Sequence, residues 1–275
     1  MSKRTKFIIV SVILAFSLWL TTLASVDYRF SLYLAVSALA YILSVWVLFD
    51  DLKGFEWITL MVLPTMFTLG SGLFSNFLPT IVPRMFGQAF QLESSILLAG
   101  IFRIAYFALF AVGMYGVLLI ENIFSVASIR TIQLFRAAKS VNFILTLVSS
   151  LFFYTVALSF KLPFWWVMSM VFVSSFILCF PSLWAVDLKS DLIKAATRYS
   201  LAVSWIAALS SMALSFWPVK PFMGGLMLTA LMYGLLGIME QRLSSRVYME
   251  SLVEYGVTVA IIMTIGFLTT SWVGG

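Results

Sequence analysis

The sequence predicts an all-α, polytopic transmembrane helical bundle of about nine spans, with the N-terminus inside and the C-terminus outside. Three observations carry that expectation. First, 62% of the 275 residues are apolar and only 10% charged, where a soluble domain carries about 25% charged residues, and the mean hydropathy is +1.07. Second, runs of the length a bilayer core demands, about 20 apolar residues, recur nine times. Third, the basic residues gather in alternate separators between those runs.

The nine runs cover roughly 7–25, 31–49, 57–75, 96–120, 141–160, 163–186, 200–217, 221–239 and 252–272. Their separators are short and polar, as at Asp50-Asp51-Leu52-Lys53-Gly54 and Asp187-Leu188-Lys189-Ser190-Asp191, or turn on proline, as at Lys161-Leu162-Pro163 and Trp217-Pro218-Val219-Lys220-Pro221. None is long enough to fold as a soluble domain, so residues 1–275 read as a single membrane domain. The first run has a second reading: Lys3-Arg4-Thr5-Lys6, an apolar stretch and Thr22-Leu23-Ala24 together resemble a secretory signal peptide. Cleavage there would leave eight spans.

With the amino terminus inside, Lys3, Arg4, Lys6, Lys53, Arg130, Arg136, Lys139, Lys189, Lys194, Arg198, Arg242 and Arg246 fall on the inner side. Arg29, Arg84, Lys161 and Lys220 fall outside, with Arg103 within a span near its outer end. One missed span would scramble this asymmetry. The net charge of +6 therefore describes membrane orientation and not an affinity for nucleic acid. Tyr28, Tyr33, Trp165, Trp166, Trp217 and Trp272 fall near the outer interface, and Trp46, Trp57 and Trp184 near the inner one, where amphipathic rings anchor.

Two echoes suggest internal duplication, 7–120 against 141–239, with an added last helix. Ala157-Leu158-Ser159-Phe160 and Ala213-Leu214-Ser215-Phe216 both precede Lys/Pro turns. Ser44, Trp46 and Asp51-Leu52-Lys53 resemble Ser182, Trp184 and Asp187-Leu188-Lys189. An even number of helices per unit gives parallel repeats.

Much chemistry is excluded. The chain has no histidine, so zinc-protease His pairs and axial haem histidines are ruled out. Its single cysteine, Cys179, lies in an apolar run and reads as a packing residue. No phosphate-binding glycine-rich loop occurs. Thr68-Leu69-Gly70-Ser71-Gly72 looks superficially like a membrane serine protease motif, yet nothing could activate the serine. That glycine pair, like Gly224-Gly225, reads as a point of close helix contact. Asp50 and Asp51 lack the second acidic cluster of a prenyl transferase. No catalytic residue, metal site or cofactor is expected.

Several segments are functional candidates. Residues 121–140 read as an amphipathic helix on the inner interface, with Ile123, Phe124, Ala127, Leu134, Phe135 and Ala138 on one side and Arg130, Arg136 and Lys139 among its polar groups. The functional version is a docking surface; the plain version is a connector. Residues 76–95, holding Pro79, Pro83, Arg84 and many apolar side chains, form either a surface-lying loop or a re-entrant element. Arg103 either faces a cavity or snorkels to the outer headgroups. Glu121, at the inner end of the same span, reads as interfacial. Glu240, Arg242, Arg246, Glu250 and Glu254 read as a solvated turn, with Glu254 able to enter the bilayer.

The stretch Asn122-Ile123-Phe124-Ser125-Val126-Ala127-Ser128-Ile129-Arg130-Thr131-Ile132-Gln133-Leu134-Phe135-Arg136-Ala137-Ala138, with Leu162-Pro163-Phe164-Trp165 beyond it, resembles uncharacterised polytopic membrane proteins of genome-reduced candidate-phylum bacteria. The resemblance implies a bacterial cytoplasmic (inner) membrane and no particular chemistry. With so few charged groups at mid-membrane, the leading expectation is a non-enzymatic subunit or scaffold packing against membrane lipids and a protein partner or a second copy. The alternative is a transporter or flippase for an apolar or lipid-like solute. A lipid-modifying enzyme is the third reading.

Overall fold

In lipid every backbone N–H and C=O must be satisfied within the protein, so long apolar runs become helices. The computed structural model describes residues 2–49, 56–78, 92–127, 133–188, 193–244 and 248–270. Among these are nine α-helices, at α1 Lys3–Thr21, α2 Val26–Leu48, α3 Glu56–Phe74, α4 Leu92–Ala127, α5 Phe135–Ser159, α6 Phe164–Trp184, α7 Ile193–Ser215, α8 Pro221–Leu243 and α9 Met249–Leu268. A 3₁₀ turn, Ser75–Phe77, closes α3. The end of the bundle at Lys3 is termed the inner end below.

Local chemistry sets the helix boundaries. The Ser2 hydroxyl accepts the Thr5 N–H at 3.3 Å, capping α1. Arg29 folds back onto the other end of α1, donating from Nε to the Ala24 carbonyl at 3.1 Å and from Nη2 to that of Thr22 at 3.0 Å. Pro163 and Pro221 stand at the starts of α6 and α8, where a missing N–H costs nothing. Lys161 turns the chain between α5 and α6 with φ 48°.

The helices form two closed groups of four. α1 packs on α2 and α4, α2 on α3, and α3 on α4; α5 packs on α6 and α8, α6 on α7, and α7 on α8. In the second ring α6 also touches α8 across the diagonal. α5 joins the rings by packing on α3 and α4, and α6 reaches α3. α9 packs on α8 from outside, with Gly266 its one fully buried residue. Eight of the nine helices are long and apolar enough to cross a membrane; α7 is the exception. α7 runs antiparallel to α6 along its length, with Phe164 against Phe216 at 5.5 Å and Phe172 against Trp205 at 5.8 Å between ring centroids.

The structure divides the stretch expected as one interfacial helix. Residues 121–127 close α4 and 135–140 open α5, while 128–132 lie outside the described residues. The apolar phase read there continues the inward face of α4: Val117, Leu118, Glu121, Phe124 and Ser125 are all buried. α4 is 36 residues long, about 54 Å at 1.5 Å per residue. It takes in Leu92 onward, so the expected outer connection shrinks from that side; residues 79–91 of it lie outside the described residues.

Candidate functional site

Where the two rings meet, the helices do not close completely. Phe30 and Leu34 of α2, Met66, Leu69 and Leu73 of α3, Phe153 and Ala157 of α5, and Trp166, Met170, Val173 and Ile177 of α6 line a cleft of about 490 Å³. Only Ser169 and Ser174 interrupt its apolar wall, and Ser169 bonds the carbonyl of Trp165 on its own helix at 2.8 Å. The volume is that of a small-molecule site. The cleft is lined from both rings, and Phe30, Trp166, Met170 and Val173 on its rim are among the exposed side chains.

A polar cluster lies at the inner end of the second ring. Glu240 Oε1 on α8 accepts a hydrogen bond from Ser182 Oγ on α6 at 3.3 Å. Ser182 Oγ in turn accepts from Asn142 Nδ2 on α5, also at 3.3 Å. Lys139, one turn before Asn142, donates to the Val186 carbonyl beyond the end of α6 and lies over the Phe135 ring at 4.4 Å. Its ammonium and the Glu240 carboxylate attract one another. A helix acid bonded in this way ties α8 to α6 through Ser182. The expected solvated turn is thus corrected at Glu240. Leu228, Met232 and Leu236 are all fully buried and step back from it at intervals of four, which places Glu240 on the inward face of α8.

Deeper in the same ring, Tyr154 of α5 is fully buried, 2.7 Å from Ser175 Oγ of α6 and 2.8 Å from Met232 Sδ of α8. Near the outer end of the first ring, Tyr33 OH of α2 donates to Asn76 Oδ1 at 3.0 Å and lies 3.2 Å from Ser75 Oγ. Tyr106 OH on α4 donates to the Ser71 carbonyl on α3 at 2.8 Å. The bundle interior is therefore richer in polar groups than a count of charges suggests. Most of its hydroxyls satisfy themselves on the carbonyl three or four residues back, as Thr68 does on Pro64 at 2.8 Å and Ser204 on Ser200 at 2.7 Å.

The residues singled out from sequence do not converge on one place. Arg103 is half-buried on α4 between the exposed Phe102 and Ile104. Glu121 is buried in the bundle, 2% exposed, on a helix that continues past it for six residues. Lys139 joins the Glu240 cluster, whereas Arg136 is exposed one turn earlier and Glu254 is exposed on α9. Arg84 and Arg130 lie outside the described residues. Asn142 and Ser182, which build the cluster with Glu240, were not among the sequence candidates, and Glu240 was read only as part of a solvated turn. Among the described residues no group of three or more His, Cys, Asp or Glu is placed to hold a metal ion.

Apolar helices of spanning length, packed in two rings with lipid-facing apolar sides, define a multi-pass membrane protein. Residues 50–269 match the family described as Protein of unknown function (DUF5656), and the chain belongs to that family. The match begins ahead of α3, so α1 and α2 precede it. No curated protein and no solved structure matches the chain.

Proposed function

We propose that the protein binds an apolar, lipid-like molecule in the seam between its two rings, as a transporter or flippase for such a solute rather than an enzyme. The cleft lined by α2, α3, α5 and α6 is the observation that supports this reading. Its wall offers dispersion contacts and almost no polar partner, which suits an acyl or isoprenoid chain and rejects a polar solute. Two packed units that meet at a solute site are a common transporter plan. The bacterial cytoplasmic membrane is the expected setting, with the amino terminus inside. On this reading all nine helices cross, because α7 shares the depth of α6 along its whole length.

The test is photocrosslinking in nanodiscs with a lipid bearing a diazirine on its acyl chain. Adducts concentrated on Met66, Phe153, Met170 and Ile177 support the reading. Adducts spread evenly over lipid-facing residues such as Ile104, Leu109 and Val257 would sink it.

A second reading, a subunit or scaffold, is favoured by α9. This helix lies outside both rings with Val253, Val257, Ile261 and Ile265 exposed, a surface suited to a partner helix. A stoichiometric protein that co-purifies in nanodiscs and is lost on replacing these side chains with bulkier ones would favour that role.

A further inference from the structure

The two rings carry corresponding residues at their inner ends. Ring order matches α1 with α5, α2 with α6 and α4 with α8. α1 opens with Lys3-Arg4-Thr5-Lys6 and α5 with Arg136-Ala137-Ala138-Lys139. α2 ends on Ser44-Val45-Trp46 and α6 on Ser182-Leu183-Trp184. Near their inner ends α4 carries Glu121-Asn122 and α8 carries Glu240-Gln241. The lysines behave alike, each turning towards the end of the next helix: Lys6 lies 5.1 Å from the Trp46 ring, and Lys139 reaches the Val186 carbonyl.

The acids differ. In the second ring Glu240 is bonded by Ser182. In the first ring Glu121 and Ser44 are 2% and 0% exposed, and Glu121 Oε2 and Ser44 Oγ have no hydrogen-bond partner among the described residues. The neighbouring Asn122 Oδ1 is likewise buried without a partner.

The charged groups on the elements packed against α4 do not answer Glu121. On α1, Arg4 is exposed and Lys6 is held at Trp46, while Lys3 has interactions of its own. On α3, Glu56 is buried, carries the same sign and is itself engaged. On α5, Arg136 is exposed and Lys139 is turned to Val186. Among the described residues no side chain donates a hydrogen bond to Glu121 Oε2. A carboxylate removed from water without a counter-charge is stable only when a cation joins it.

We propose that Glu121 is the anionic ligand of a monovalent-cation site at the inner end of the α1–α4 ring, taking up a proton or an alkali ion where the matching ring uses Ser182 and Lys139. Next to Glu121 on the same helix, the buried Asn122 Oδ1 is a second oxygen with no partner among the described residues. The site is independent of the lipid cleft, which lies at the seam between the rings.

The experiment uses the full chain in nanodiscs and has two readouts. Dicyclohexylcarbodiimide, an apolar reagent for carboxyl groups buried in membranes, is followed by peptide mass spectrometry. Melting temperature is recorded across pH 5–9 in sodium, potassium or choline chloride. The expected result is an adduct on Glu121 and a cation-dependent melting shift that Glu121→Gln abolishes and Glu240→Gln retains. Protection of Glu121 by sodium over choline identifies an alkali ion. Protection only by raised pH, whatever the salt, identifies a proton. If Glu121→Gln does not fold, labelling of the wild-type protein still decides. No adduct on Glu121 in the wild-type chain, or a melting shift that survives Glu121→Gln, would overturn the site.

Discussion

A methyl group added at Gly225 of α8 would lie 2.9 Å from the backbone nitrogen of Thr155 on α5. The neighbour is main chain, which cannot rotate away. α5 and α8 approach closely here, which explains a Gly224-Gly225 pair inside a span. Gly225→Ala is expected to cost roughly 1–3 kcal/mol, the range of overpacking, read as a lower melting temperature in detergent. Gly100→Ala, with nothing within 4 Å of its added carbon, is the control and should change little.

Ser182 stands between two side chains, so its loss strands both. Ser182→Ala should destabilise by about 1–3 kcal/mol, the cost of leaving buried polar groups unpaired. Glu240→Leu should cost more than Glu240→Leu combined with Lys139→Met. A double-mutant cycle on melting free energies measures the coupling; additive losses would show that Lys139 and Glu240 do not act together.

The cleft can be filled from within. Ala157 is 5% exposed and lines its wall, so Ala157→Phe places a ring in the space an acyl chain would take. Lipid retained through purification, counted by mass spectrometry, should fall several-fold while the melting temperature holds or rises. Unchanged retention would detach lipid binding from this cleft.

Whether α7 crosses the membrane is directly measurable. In a Cys179→Ser background, Ser190→Cys and Lys220→Cys should react with an impermeant thiol reagent from opposite sides. Labelling of both from one side would leave α7 in a single leaflet and reverse the orientation of everything after it.

The helices were readable as apolar runs, because lipid demands about 20 apolar residues per crossing whatever the fold, although α7 falls short of the apolarity of a span. The inward faces were not. In a soluble helix the polar side marks the exterior, but on α6 the exposed Val173 and the buried Val171 are the same residue type. Contrast survives only in small polar side chains: Ser44, Ser149, Ser175, Ser182, Ser200 and Ser211 are all buried. Reading those serines as inward markers would have turned Glu240 and Glu121 into the bundle. Counting charges instead left Glu240 in a solvated turn and Glu121 at the interface. Arg103, chosen because an intramembrane charge is costly, is half-buried between lipid-facing neighbours. Its direction was not legible.

The serine-rich face of α7 bears on how the protein is made. Ser200, Ser204 and Ser211 are fully covered in the finished fold, yet as α7 leaves the ribosome they would meet lipid directly, with Lys194 and Arg198 just ahead of them. Such a segment is a poor client for insertion alone. Its partner α6 emerges first and is far more apolar, so the two are expected to enter the bilayer together as a hairpin. A glycan-acceptor reporter should show isolated α7 failing to integrate and the α6–α7 pair succeeding. On that account, the order of synthesis supplies α7 with a surface that its own composition lacks.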